Sequence, residues 1–207
     1  MSRAMQLRRC VVVGIGGATN SGKTTVCRRL SSAIGAEVFN CDKYFLPEDS
    51  PKHTPLPQFN GHANWDILSA IDMESLREDV EHWIHRHSSS KLNNNNNGNS
   101  AAVVPVLFVE GILVLNHPPL ERLFDFKYYF TVTKEQCEAR RNLRHYEPPD
   151  PVGYFDGVVW PEHIKYKEEL IGRQDITFIS GDHDLDYVFG EILQDIQSKR
   201  RGGVSSK

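Results

Sequence analysis

Five apolar runs along the chain predict the strands of a buried sheet. They are Cys10–Ile15, Glu37–Phe39, Val104–Val109, Lys127–Val132 and Ile176–Ile179. Val, Ile, Phe and Tyr dominate these runs without a clean alternation of apolar and polar positions, which is typical of strands covered on both faces. Because stretches with helical periodicity separate the runs, the pattern predicts an α/β fold, a five-stranded parallel sheet flanked by helices.

The helical stretches carry recognisable start and stop signals. The first covers Lys23–Ile34 and is followed by a glycine, a common C-terminal stop. A second begins after Asp72, where apolar residues fall on one face. The capping-box pattern TKEQ at 133–136 opens a third, which we expect to continue through Arg144. An apolar stripe over 185–196 predicts a C-terminal helix.

Three segments lie outside this alternation. Residues 88–100, SSSKLNNNNNGNS, are polar and of low complexity, and they predict a disordered insert. Residues 145–161 are rich in Pro, Gly and aromatic side chains, which predicts a structured but non-regular loop, long enough to serve as a lid. The tail at 200–207 is expected to be mobile.

Composition limits the class of protein. A chain of 207 residues with 39% hydrophobic residues predicts a single domain over 1–207. The formal charge of −3 argues against a general binder of nucleic acid or anionic membranes. The four cysteines form no C-x-x-C pair, and the N-terminus lacks the apolar region of a signal peptide. We therefore expect a soluble cytoplasmic protein, with a nuclear location also open, that acts as a monomer or weak dimer.

The segment GATNSGKT at 17–24 fits the pattern G-x-x-x-x-G-K-[ST] at every fixed position and lies between a predicted strand and a helix. Its glycines let backbone N–H groups converge on phosphate oxygens, and the helix N-terminus adds positive charge. Lys23 is expected to reach the β and γ oxygens, and the Thr24 hydroxyl to bind Mg²⁺. A dinucleotide-binding turn fails because Thr19 stands where that motif needs glycine. The segment therefore predicts a nucleoside-triphosphate site.

A small-molecule kinase is the class that fits the rest of the chain. Regulatory GTPases need D-x-x-G soon after the loop and N-K-x-D further on, and neither is present in that arrangement. A kinase needs a carboxylate near the acceptor hydroxyl. Asp42 follows the second strand, at the sheet edge where ligands bind, but position alone fits a turn former equally well. Glu110 ends the third strand and could hold a Mg²⁺-bound water or cap the turn at Gly111.

Three arginines in the predicted third helix could clamp phosphate oxygens in the transition state. They are Arg140, Arg141 and Arg144, and the first and last share a helical face by their i,i+4 spacing. The alternative is a solvated helix face on which the arginines pair with Glu135 and Glu138.

The expected acceptor pocket is aromatic and acidic. Its candidates are Tyr44, Phe45, Trp65, Asp66, Tyr146 and Glu147. This combination suits a ribose bound through its hydroxyls and a flat, positively charged base held by stacking. For Trp65 or Tyr146 taken alone, ordinary core or loop packing is the better explanation.

Several motifs together resemble the nicotinamide riboside kinases, relatives of the uridine kinases. They are GATNSGKTT, CDKYF, NWDIL, VEGIL and RRNLRHYEPPDPVGYFDGVVWPEHIKYKEE. The resemblance runs from about Val11 to about Gly181 without the Asn-rich insert, and its most specific part is 140–169. It implies a P-loop kinase fold and an enzyme that uses ATP with Mg²⁺ to phosphorylate the 5′-hydroxyl of nicotinamide riboside, and of nicotinic acid riboside, for NAD synthesis. The region 47–100, taken as helical, and the 145–160 loop would close over the substrates.

The resemblance also implies roles for residues of this chain. The ATP site would comprise Gly17, Ala18, Thr19, Asn20, Ser21, Gly22, Lys23, Thr24, Thr25, Arg140, Arg144 and His183, the last beside the adenine. The riboside site would comprise Asp42, Lys43, Tyr44, Phe45, Trp65, Asp66, Arg141, Tyr146 and Glu147. The metal site would comprise Thr24, Asp42 and Glu110, and the catalytic pair Asp42 and Lys23. Asp42 would accept the proton of the 5′-hydroxyl, Asp66 would hold ribose hydroxyls, and Trp65 and Tyr146 would sandwich the pyridine ring.

Two residues depart from the family pattern. Trp65 stands where a tyrosine is usual, and Lys43 stands where a second acidic residue is usual. Since Lys43 makes the site less negative, we hypothesise that it favours nicotinic acid riboside relative to the cationic nicotinamide form. Two rival functions stay open, a uridine or cytidine kinase and a P-loop protein that binds nucleotide without transfer.

Overall fold

The computed structural model of the protein describes residues 10–89 and 104–202. Its strands are β1 (Val11–Gly17), β2 (Glu37–Asn40), β3 (Pro55–Leu56), β4 (His62–Ala63), β5 (Val106–Glu110), β6 (Phe126–Thr131) and β7 (Thr177–Ser180). Five of them form a sheet in the order β2-β5-β1-β6-β7, and every pairing in it is parallel. The predicted five-stranded parallel sheet is confirmed.

Helices cover both faces of this sheet, which explains why its strands show no alternation. The helices are α1 (Lys23–Ile34), α2 (Met73–Ser89), α3 (Pro118–Glu121), α4 (Lys134–Arg141), α5 (Trp160–Glu168) and α6 (Leu185–Gly202). Leu30 of α1 and Ile192 of α6 are buried in one cluster with Val13. Leu76 of α2 is buried with Val12 in the cluster on the other face. All seven residues of β1 are buried, as a central strand between two layers must be.

Local signals set several helix ends as predicted. α1 ends at Gly35, which adopts the left-handed conformation with φ 66°. At the start of α4, the Thr133 hydroxyl accepts the Gln136 N–H, and the Gln136 side chain accepts the Thr133 N–H. This is the predicted capping box. All four cysteines are buried, and none forms a disulfide.

The predicted extension of α4 through Arg144 was wrong. The helix ends at Arg141, and Asn142 is its C-terminal cap. Beyond that point the chain turns, and the Arg144 N–H donates to the Arg141 carbonyl oxygen at 2.9 Å. The i,i+4 relation of Arg140 and Arg144 is therefore not helical. Pro148 and Pro149 follow closely, and a proline disfavours helix at the residue before it.

The prediction of a helical region over 47–100 was wrong for residues 47–72, whereas the helix expected after Asp72 is confirmed as α2. β3 and β4 form a two-stranded antiparallel sheet, and short 3₁₀ turns surround it. Prolines at 47, 51, 55 and 57 exclude a continuous helix, so α2 begins only at Met73. Of the predicted 88–100 insert, residues 88 and 89 belong to α2, and the rest lies outside the described residues.

Two further segments differ from prediction. The second half of 145–161 is regular, because a π-helix over Phe155–Val159 leads into α5. Tyr154, Val158 and Val159 bury their side chains there, and the proline at 161 is tolerated in the first turn of α5. α6 continues to Gly202, so residues 200–202 of the predicted tail are helical, and 203–207 lie outside the described residues.

Candidate active site

The loop after β1 is shaped by its glycines. Gly17 has φ 129°, and a Cβ there would lie 2.1 Å from the carbonyl oxygen of Phe130 on β6. The next residue, Ala18, donates its N–H to that same oxygen at 3.1 Å. Asn20 and Gly22 also have positive φ angles, of 58° and 97°. The loop is thus curled tightly against the carboxyl edge of the sheet and delivers the chain into α1.

Lys23 lies inside this loop. Its side chain is 6% exposed, and Nζ donates to the carbonyl oxygens of Gly17 at 3.1 Å and Ala18 at 2.6 Å. Burial lowers the pKa of Lys23, while the negative charges of Glu110 and Asp42 oppose that shift. The ammonium is therefore held inside the loop, where it interacts electrostatically with two carboxylates.

Thr24, Asp42 and Glu110 come together in one cleft with the loop. Its lining comprises Thr19, Asn20, Ser21, Gly22, Lys23, Thr24, Thr25, Asp42, Glu110, Gly111, Ile112 and Arg144. Asp42 is exposed on a 3₁₀ turn, where its N–H donates to the Asn40 side chain at 2.7 Å. Most of the predicted ATP, metal and catalytic residues line this cleft. Gly111 and Ile112 also line it, although neither was predicted as a site residue.

The oxygen atoms of this cleft suit Mg²⁺ bound together with phosphates. Burial raises the pKa of Glu110, which is 2% exposed, against the opposing effects of Lys23 and the Thr24 hydrogen bond. In the described ranges no group of three or more His, Cys, Asp or Glu side chains could hold a metal alone. One hydroxyl and two carboxylates fit an ion that completes its shell with water and phosphate oxygens.

The three arginines occupy different surroundings. Arg140 is exposed and donates to the carbonyl oxygen of Asn20 in the phosphate loop at 3.2 Å. Arg144 lines the cleft. Arg141 is 8% exposed and forms a bidentate pair with Asp150, at 2.6 Å from Nε and 3.0 Å from Nη2. Asp150 was missed from the sequence, although it lies in the most specific motif.

The aromatic residues predicted for the acceptor site, Phe45, Trp65 and Tyr146, line neither of the two pockets that the structure shows. Trp65 meets Phe45 edge to face at 5.9 Å between ring centroids. The Tyr146 ring lies under the Arg141 guanidinium, 4.2 Å from its centroid, and its hydroxyl accepts from Asn20 Nδ2 at 3.3 Å. The two rings are thus supported by different partners, and the stacking of a base between them stays a prediction.

A second pocket shares Thr19 and Ile112 with the cleft that Lys23 lines. Its lining comprises Gly17, Ala18, Thr19, Asp66, Ile112, Leu113, Tyr129, Val159, His163 and Tyr166. Burial raises the pKa of Asp66 to about 6, although Arg141 pulls it down. Burial lowers the pKa of His163 to about 4, so this imidazole is neutral. Tyr129 and His163 were not predicted, because a buried residue on a strand and a partly buried residue on a helix carry no local motif.

The remaining predicted residues, Lys43, Tyr44, Glu147 and His183, line neither pocket. The Tyr44 hydroxyl donates to Asp79 of α2 at 2.7 Å, so its polar end is already bound by the protein. Lys43, Glu147 and His183 are exposed. The His183 ring lies 5.3 Å from that of Tyr187, at the start of α6. No helix in the described parts of the chain is both long and apolar enough to span a membrane.

Comparison with known proteins finds no matching family model, but close relatives among individual proteins. Nicotinamide riboside kinase 1 of Rattus norvegicus is 36% identical over 190 residues, covering 91% of this chain and 94% of that protein. Nicotinamide riboside kinase 2 of Homo sapiens is 35% identical over 191 residues, covering 91% and 81%. A uridine kinase of Clostridium perfringens (strain 13 / Type A) is 25% identical over 206 residues, covering 91% and 97%.

Solved structures share the fold at lower sequence identity. A sugar kinase from Janibacter sp. HTCC2649 matches with a TM-score of 0.57 at 13% identity, over 91% of this chain and 95% of its own. A gluconokinase from Sinorhizobium meliloti 1021 matches with a TM-score of 0.55 at 14% identity, over 94% and 96%. The predicted P-loop kinase fold is confirmed.

Proposed function

The chain belongs to the nicotinamide riboside kinase family, and we propose that it transfers the γ-phosphoryl group of ATP to the 5′-hydroxyl of nicotinamide riboside. Nicotinic acid riboside is a second acceptor. The products are the corresponding mononucleotides, which serve NAD biosynthesis. One observation supports phosphoryl transfer most strongly: the lining of a single cleft includes Lys23, Thr24, Asp42 and Glu110.

The donor half of the reaction depends on positioning and charge. The loop 17–25 and Lys23 hold the phosphates of ATP. Arg140 and Arg144 contribute further positive charge to the same phosphates. Thr24, Asp42 and Glu110 supply the oxygens that would hold Mg²⁺. When bound, the ion would neutralise charge on the phosphate oxygens as the γ-phosphoryl group is transferred.

The acceptor half depends on carboxylates at the sheet edge. Asp42 is exposed and lines the cleft just after the end of β2. There it accepts the proton of the 5′-hydroxyl and orients the oxygen for in-line attack. Asp66 and Arg141 hold the ribose hydroxyls, and Trp65 and Tyr146 hold the base. Because the pyridinium ring of nicotinamide riboside is cationic, these acidic and aromatic side chains favour its binding.

A uridine kinase is the second candidate, and the 25% identical relative from Clostridium perfringens is the observation in its favour. The two candidates share the donor half and differ in the base that the acceptor pocket binds. The predicted monomer or weak dimer and the predicted cytoplasmic location accompany either function.

Release of ADP with a panel of acceptors tests the proposal. The panel comprises nicotinamide riboside, nicotinic acid riboside, uridine, cytidine and a reaction without acceptor. Rapid ADP release with the two pyridine ribosides is expected. Turnover with uridine or cytidine alone would select the second candidate, and ATP binding without any acceptor-dependent ADP release would show a non-catalytic nucleotide-binding protein.

A further inference from the structure

The hydroxyl of Tyr154 bridges two backbone groups beside the acceptor pocket. It donates to the carbonyl oxygen of Ala63 at 3.2 Å and accepts the N–H of Trp65 at 3.1 Å. Tyr154 is fully buried, and burial raises its pKa, so the hydroxyl keeps its proton at neutral pH. The bridge thus fixes the backbone on both sides of Asn64, immediately before Asp66.

Two more side chains from the same part of the chain hold this backbone. Glu162 of α5 accepts from Asn64 Nδ2 at 3.0 Å, and the Asn64 side-chain oxygen accepts the Asp66 N–H at 3.1 Å. The Tyr166 hydroxyl accepts the N–H of Leu68 at 3.3 Å. Residues 64–67 belong to no helix or strand. Their position therefore depends strongly on these side-chain contacts.

The turn that carries Tyr154 also holds Arg141. Asp150 forms the bidentate pair with the Arg141 guanidinium, and the Tyr154 N–H donates to the Pro151 carbonyl oxygen at 3.0 Å. Gly153, with φ 81°, allows the tight turn between them. A single short turn, Asp150–Tyr154, is thus bonded both to Arg141 and to the backbone that carries Asp66.

We infer that Tyr154 is a positioning residue for riboside binding, because its hydroxyl bridge sets Trp65 and Asp66 in place relative to Arg141. This inference rests on the proposed function only in taking a riboside as the acceptor. Removal of the hydroxyl takes a hydrogen-bond partner from the Trp65 N–H and from the Ala63 C=O, both in part-buried contacts, and we expect the segment 63–66 to shift to satisfy them. A small shift of the groups that hold a substrate is enough to weaken its binding.

The test compares Tyr154→Phe with wild type in two ways. Calorimetric titration in the presence of ADP gives the Kd of the riboside, and steady-state kinetics give the KM for the riboside and the KM for ATP. The variant keeps the ring, which packs edge to face against Phe59 and His62. We expect the riboside Kd and KM to rise by about fivefold to tenfold, the loss of roughly one hydrogen bond. The KM for ATP is expected to stay within about twofold of wild type.

Three further variants separate positioning from general destabilisation. Tyr128→Phe removes a buried hydroxyl that bonds Asp195 of α6 at 2.7 Å, in the cluster on the α1 and α6 face of the sheet. It is expected to lower Tm without changing the riboside Kd. At the second support, Glu162→Gln keeps an acceptor for Asn64 and is expected to bind riboside like wild type, whereas Glu162→Ala is expected to weaken binding.

The riboside used is the one that wild type binds most tightly among nicotinamide riboside and uridine. If that is uridine, the proposed function fails while the test of Tyr154 proceeds unchanged. An unchanged riboside Kd in Tyr154→Phe, or equal increases in the riboside and ATP KM values, would overturn the inference. Absence of riboside binding to wild type would overturn both.

Discussion

The Thr24 hydroxyl donates to both oxygens of the Glu110 carboxylate, at 3.0 Å to Oε1 and 3.2 Å to Oε2. This contact joins the start of α1 to the end of β5 and places the carboxylate beside the phosphate loop. Burial raises the pKa of Glu110 and so disfavours its charged form, and a cation that enters the cleft would stabilise the ionised carboxylate. Two alternatives were open from the sequence, and this position favours a metal-linked role over a turn cap.

Glu110→Gln is expected to weaken the use of Mg²⁺. The variant keeps the size of the side chain but loses its charge, so the free Mg²⁺ needed for half-maximal rate is expected to rise about tenfold or more. ATP binding measured in EDTA is expected to stay the same. Glu191→Gln, an exposed change on α6, is the control. An unaltered Mg²⁺ dependence in Glu110→Gln would contradict the assignment.

Asp42→Asn is expected to bind ATP normally and to lose at least ~10²-fold in kcat, the usual contribution of a general base. The amide cannot accept the 5′-hydroxyl proton, while the turn at 41–44 keeps its backbone contact to Asn40. Steady-state kinetics and ATP titration measure the two effects, with exposed Asp49→Asn as the control. Retained turnover would place the base elsewhere, and Glu110 would be tested next.

The pH dependence of riboside use is expected to follow Asp66. Its pKa is raised to about 6 by burial, and the ionised carboxylate offers both oxygens as acceptors to the ribose hydroxyls, whereas protonation turns one of them into a donor. As the pH falls through about 6, kcat/KM for the riboside is therefore expected to decline, since this ratio reports the free enzyme. In Asp66→Asn, kcat/KM for the riboside is expected to be lower at neutral pH and not to decline further as the pH falls through about 6. If the same decline at acidic pH persists in Asp66→Asn, the titrating group is not Asp66.

Lys43→Asp is expected to change the choice between pyridine ribosides. Lys43 is exposed on the turn directly after Asp42, and we expect its charge to favour the carboxylate of nicotinic acid riboside. The ratio of kcat/KM for nicotinic acid riboside over nicotinamide riboside is expected to fall about fivefold, as for a charge contact of ~1 kcal/mol. Lys52→Asp provides an exposed control. A ratio that does not move would remove Lys43 from specificity.

The parts of the fold that local sequence predicts are those with periodic or capping signals. β1 is uniformly apolar because both its faces are covered, and the Thr133–Gln136 box is encoded within four residues. β3 and β4 were missed because two-residue strands have no period and lie among prolines. The end of α4 was misplaced because the box at its start contains no stop signal.

The site residues that the sequence predicts are likewise those that belong to a local motif or end a predicted strand. The phosphate loop is a contiguous motif, so its residues and Thr24 were found together, and the strand ends led to Asp42 and Glu110. Asp150 and Tyr154 were not assigned roles, because their importance comes from partners elsewhere in the chain. Tyr154 meets Trp65 across 89 positions. Such pairings depend on the folded topology and leave no spacing to read in the sequence.

A competition experiment tests the central claim most directly. Equal concentrations of nicotinamide riboside and uridine are incubated together with the protein, limiting ATP and Mg²⁺, and the two 5′-monophosphates are quantified. Because both acceptors share one enzyme, the product ratio gives the ratio of their kcat/KM values. We predict nicotinamide mononucleotide in excess by at least about 10²-fold, the discrimination a pocket built for a charged base can reach. Equal amounts, or an excess of uridine monophosphate, would contradict the proposed function.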